Sequence, residues 1–172
     1  MRRVWVLWFD PGGTTGWAYC SVGVTSLLNG NLYERMRIDR HGEIKGPELG
    51  QADTMIDMAN GAAQSALGIE SFSLRKFTRG AELLAPVRIR AMYEYGLHAR
   101  GEDRRVFFQS PSEAMTTLTD DRQRRYDLWI PGDDHMRVAV KHCYTFLLKA
   151  QQKRRLREIA WPWINWTEEV QA

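Results

Sequence analysis

Residues 4–9 read Val-Trp-Val-Leu-Trp-Phe, an unbroken β-branched and aromatic run that ends on Asp10-Pro11-Gly12-Gly13. A run with no polar position offers no face to water, so it is expected as a strand buried on both sides. Asp10 then sets a carboxylate at the end of that strand, where a charge is costly unless it is paired or bound to a cation. Pro-Gly-Gly breaks the strand, lets the chain turn back, and leaves open space above the carboxylate. An acid in this place also serves as a turn residue or a helix cap, and both readings start from Asp10. The apolar run follows Arg2 and Arg3 but stops after six residues, too short for a secretory core or a membrane span. A soluble, cytoplasmic protein is expected.

The rest of the chain alternates in type. Residues 15–24 resume as a strand with Trp17, Tyr19 and Val22, and residues 32–38 are expected as a third after the Asn29-Gly30 turn, giving an antiparallel meander. Residues 48–63 carry Leu49, Ala52, Met55, Ile56 and Ala59 at helical spacing. Residues 67–72 and 106–108 read as short buried strands, and residues 83–98 as a helix with Pro86 in its first turn. Ser110-Pro111-Ser112-Glu113 matches a capping box. A long helix is expected from Asp133 or Asp134, with an apolar stripe of Val140, Cys143, Tyr144, Leu147 and Leu148. Three antiparallel strands followed by alternating helices and strands predict an α/β fold with one mixed sheet covered by helices. At 172 residues the chain fits a main domain over residues 1–158 and a Trp-rich tail over 159–172. Trp161, Trp163 and Trp166 in that tail are expected to pack on the domain rather than to stack on bases.

Net charge is only +3, so the distribution of charge says more than its sum. Lys149, Lys153, Arg154, Arg155 and Arg157 fall within nine residues that contain no acid, and Arg75, Lys76 and Arg79 form a second group. A further group is Arg122, Arg124 and Arg125. Such clusters suit a phosphate backbone or a solvated helix face. Cys20 and Cys143 lie far apart with no CxxC pair, which argues against a disulfide scaffold or zinc knuckle and for a reducing compartment.

Two more places carry acids of interest. Glu70 interrupts the apolar strand 67–72, where alternation turns it either to solvent or toward Asp10. Asp133-Asp134-His135 opens the last long helix, where Asp caps free amides and His or Asp can ligate metal. Asp10-Pro11-Gly12-x-Thr14-x-Gly16-Trp17, then Ile69-Glu70-x-Phe72, then Asp134-His135-x-Arg137 ahead of His142, resembles the RuvC family of Holliday junction resolvases, in particular its compact phage-borne branch. Residues 84–89, 109–114 and 119–125 resemble that branch too.

The resemblance implies an RNase H-like fold with a mixed five-stranded sheet, three antiparallel strands and then parallel ones. It implies a homodimer that hydrolyses phosphodiesters of branched DNA, four-way junctions above all, with two Mg²⁺ ions per site and Mn²⁺ as a substitute. Asp10, Glu70, Asp134 and His135 would then be catalytic and metal-ligating, with Asp133 able to substitute for Asp134. Arg75, Lys76 and Arg79 would flank the scissile strand, the cluster Lys149, Lys153, Arg154, Arg155 and Arg157 would extend the last helix and track a duplex arm, and Phe72 or Phe77 would wedge at the crossover. Where members of the branch follow the last His with an acid one turn later, this chain has Val138. The alternative is therefore a branched-DNA-binding protein with weakened catalysis. A kinase-like phosphate loop, suggested by Asp-x-Gly-Gly-Thr-Thr, needs a second lobe for which the chain has no room, so no nucleotide cofactor is expected; nor is a membrane.

Overall fold

The buried run becomes β1 (Arg3–Asp10) at the centre of a computed structural model that describes residues 2–30, 32–72 and 84–167. With β2 (Thr15–Gly23), β3 (Arg37–Ile44), β4 (Ser65–Glu70) and β5 (Val106–Gln109) it forms a five-stranded sheet in the order β3-β2-β1-β4-β5. β1–β2 and β2–β3 pair antiparallel, whereas β1–β4 and β4–β5 pair parallel. This is the mixed sheet of the RNase H-like fold.

Strand alternation divides β1 between two cores. Val4, Val6 and Trp8 pack with Val140, Cys143 and Leu147 of α7 (Asp134–Gln152). Leu7 and Phe9 pack with Met55 and Ile56 of α3 (Glu48–Gly61) and with Ile89 and Tyr93 of α4 (Ala85–Ala99). β1 has no wet face, as its composition requires. Among the described residues no helix is long and apolar enough to cross a membrane.

Three local expectations are corrected. Of the strand expected over residues 32–38 only Arg37 and Ile38 are strand, as the start of β3; α1 (Val24–Asn29) and α2 (Leu32–Arg35) precede it. Val24, Leu27 and Leu32 sit in the α7-side core, and Gly30 closes α1 by donating its N–H to the Ser26 carbonyl at 2.9 Å. Asn29-Gly30 is thus a helix end rather than a hairpin turn. The real third strand, Arg-Ile-Asp-Arg-His-Gly-Glu-Ile, is a largely exposed edge whose polar sequence conceals it. The capping box does not form: Ser110 caps α5 (Pro111–Thr117) without a side-chain bond, and Glu113 pairs with Lys149 instead. Residues 149–157 do not extend one helix either, because α7 ends at Gln152 and α8 (Arg154–Ala160) begins after Lys153.

The tryptophans at the end of the chain mostly pack. Trp161 is fully buried and donates from Nε1 to the Trp5 carbonyl at 3.0 Å, and Trp166 donates to the Trp161 carbonyl at 3.3 Å. Trp163 stays 43% exposed.

Candidate active site

Parallel pairing places the two strand-borne acids together. Phe9 is opposite Ile69 in the β1–β4 register, so Asp10 and Glu70 follow as the next residues of adjacent strands. Alternation decides the face: Trp8 and Ala66 belong to the α7-side core, Phe9 and Ile69 to the other, and the period of two returns Asp10 and Glu70 to the α7 side. Glu70 does not point to solvent; it is 9% exposed and Asp10 5%. Gln109 is opposite Glu70 in the β4–β5 register and extends the row across a third strand.

Helix α7 lies over this row and contributes two histidines one heptad apart. His135 Nδ1 is 2.8 Å from Asp10 Oδ2, and His142 Nε2 is 2.9 Å from Glu70 Oε2. The approach of α7 depends on Gly16, which pairs with Asp10 across β1–β2. A Cβ there would lie 2.2 Å from the His135 carbonyl carbon. At the other end of the contact, a Cβ on Gly68 would lie 2.0 Å from the Trp8 ring, which stacks on His142 at 5.2 Å and 4°. Gln51, buried in α3, accepts from Thr15 Oγ1 at 2.6 Å and donates to the Gly13 and Gly46 carbonyls, pinning the loop after Asp10.

The expected acids of α7 are not brought in. Asp134 is directed outward and ion-pairs with Arg137, its side chain 87% exposed. Asp133 caps the helix by accepting from the His135 N–H at 2.9 Å. Val138 is half-buried and offers no ligand atom. His142 and Gln109 contact the site although neither is assigned a role there from the sequence. Their signals were present: His142 is seven residues after His135 on one helix face, and Gln109 ends a buried strand as Asp10 and Glu70 do.

Electrostatics follow from this crowding. Burial, reinforced by the nearby Asp10 charge, pushes the Glu70 carboxyl above its ordinary value, with the His142 hydrogen bond opposing. The Asp10 hydrogen bond raises His135 above its ordinary 6.5. Both shifts are upward, so both groups contribute most to stability at low pH, where folded and unfolded chains alike hold the proton. That contribution is lost as pH rises, from about 4.5 for Glu70 and from about 6.5 for His135, through the raised folded values. In chelator, the unfolding midpoint of the wild type should therefore fall between pH 6 and 9 more steeply than that of His135→Gln. Equal slopes in thermal melts would show that the Asp10–His135 pair is not made.

The donor set suits a hard divalent cation. Two adjacent buried carboxylates repel one another until a cation or proton neutralises them, and Mg²⁺ is usually held by one or two carboxylates plus substrate phosphate and water. Among the described residues no group of three or more His, Cys, Asp or Glu forms a ready-made metal cage.

The expected DNA contacts fall in three places. Arg75, Lys76, Phe77 and Arg79 lie outside the described residues. Lys149 pairs with Glu113 and Arg154 with Glu158, while Lys153 and Arg155 are exposed just beyond the C-terminal end of α7, which lies roughly 25 Å from His135 by helix rise. Phe72 is half-buried beside Val87 and Arg90 of α4. Nearer the site, Arg124 of α6 (Asp120–Arg125) and Arg137 both stack on Trp129, at 3.8 and 4.5 Å.

No family model and no curated protein matches this sequence. Solved structures do. The fold is similar to that of Thermus thermophilus RuvC, with TM-score 0.61 at 13% identity over 93% of this chain and 99% of that one. It is likewise similar to T. thermophilus RuvC in complex with Holliday junction substrate, with TM-score 0.59 at 14% identity over 87% of this chain and 96% of that one.

Proposed function

We propose that this chain is a metal-dependent endonuclease that resolves four-way DNA junctions by paired phosphodiester hydrolysis. The observation that carries the reading is the pair of buried carboxylates, Asp10 and Glu70, at the ends of adjacent parallel strands on a RuvC-like fold. Asp10 and Glu70 would hold Mg²⁺, or Mn²⁺ in its place; Asp10 and His135 would hold the second ion that the resemblance implies. The bound metal supplies Lewis-acid stabilisation of the phosphate and a more acidic water. The protein's own part is to exclude bulk water around the two carboxylates and to fix their orientation through His135 and His142.

The partner is branched DNA, contacted through phosphates by the exposed cations Lys153 and Arg155 and by the Arg124–Trp129 surface. Two symmetric cuts call for two copies of the site, hence a homodimer. A second reading, junction binding with weakened catalysis, is favoured by Val138 and by the outward Asp134, which leave the site with two carboxylates. Incubation of a labelled four-way junction with the protein and Mg²⁺ separates the two. Paired nicks in the junction, with linear duplex left whole, are expected; binding without incision in Mg²⁺ and in Mn²⁺ would select the second reading.

A further inference from the structure

Beneath Glu70, three buried side chains meet in a fixed order. His142 is fully buried and Gln109 is 3% exposed, so each is satisfied only by the groups packed on it. The backbone of α7 orients the Gln109 amide. The Phe146 N–H faces one end at 3.2 Å and the His142 carbonyl faces the other at 3.3 Å, so the amide oxygen takes the first and the amide nitrogen the second. That orientation sets the amide nitrogen 3.1 Å from His142 Nδ1. The reverse orientation would put the oxygen on Nδ1 but oppose two donors, the amide nitrogen and the Phe146 N–H, in a buried site. Nδ1 is therefore an acceptor, and the ring proton sits on Nε2, 2.9 Å from Glu70 Oε2. Trp8, stacked on the ring and given room by Gly68, keeps the imidazole from turning.

We infer that Gln109 and His142 are positioning residues for Glu70: Gln109 sets the His142 tautomer, and the resulting Nε2–H holds the Glu70 carboxylate in one orientation. This rests on the metal-nuclease reading of the site. Position 138 offers Glu70 no polar partner, so its orientation is set from the next turn of α7. Supporting groups of this kind change metal affinity by about 10–100-fold when removed.

Nitrogen-15 NMR of His142 in the metal-free wild type reads the tautomer directly. A proton on Nε2 with Nδ1 bare is expected; a proton on Nδ1, alone or in a doubly protonated ring, overturns the inference. His142→Leu removes the Nε2–H that holds Glu70 and adds no buried charge. The variant should bind Mn²⁺ about 10–100-fold more weakly by titration calorimetry, and His142→Gln, whose amide can still donate to Glu70, should recover part of that affinity. Unchanged Mn²⁺ affinity in both variants would refute the positioning role. Failure of the wild type to bind Mn²⁺ at all would refute the metal reading instead, and the nitrogen shifts of the wild type would still decide the tautomer.

Discussion

Replacing Asp10 with asparagine is expected to lower junction cleavage by ~10²–10³-fold or more, the loss typical of one electrostatic stabiliser of a developing charge. Junction binding should stay close to wild type, because the amide keeps the shape of the carboxylate and Asp10, 5% exposed, is not itself a phosphate contact. The fold should tolerate the change. Asparagine gives up the charge-assisted bond to His135, but it also removes one cause of the raised Glu70 carboxyl, so the two effects oppose. Cleavage kinetics, gel-shift affinity and a urea melt on the same preparation check all three statements. Wild-type cleavage by Asp10→Asn would remove Asp10 from the chemistry; lost cleavage with a collapsed melt would assign it a structural role.

Gly16→Ala should have the second large effect, through the backbone rather than through charge. The added Cβ would meet the His135 carbonyl carbon at 2.2 Å, and a helix backbone cannot yield as a flexible side chain does. The first turn of α7 must lift from the sheet, carrying His135 away from Asp10. Overpacking of this kind costs about 1–3 kcal/mol, and cleavage should fall further than stability alone explains. The expected result is a lowered urea midpoint with an unchanged m-value, together with a loss of cleavage that excess protein does not restore. A variant with wild-type midpoint and rate would show that α7 does not approach β2 at Gly16.

Much of this arrangement was legible in the sequence, for physical reasons that also explain the gaps. Residues 4–9 are short, apolar, β-branched and aromatic, as a central strand requires, and the stripe through Val140 and Leu147 marks the face that α7 turns to the sheet. Asp10 stood out because a carboxylate is anomalous where it occurs. Glu70 could not be assigned a face from its own strand; the β1–β4 register decides it, and register is a tertiary fact. The edge strand β3 was hidden because a solvated edge carries Arg, Asp and His that look like loop. Asp134 is ambiguous for the opposite reason: a helix start attracts acids for capping and dipole, and here Asp133 caps while Asp134 pairs with Arg137. His142 stood in the motif and Gln109 at the end of a strand, but neither could be placed beside Glu70 from the sequence, because only the strand row and the seat of α7 bring them there.

Joint binding of the catalytic cation by Asp10 and Glu70, as proposed, is tested by crystals soaked in Mn²⁺ and measured at its absorption edge. An anomalous peak is expected at about 2.0–2.6 Å from carboxylate oxygens of both Asp10 and Glu70, with Asp134 outside coordination distance. A peak centred on Asp133 and Asp134, or no peak at the Asp10–Glu70 pair in crystals of a preparation that cuts junctions with Mn²⁺, would contradict it.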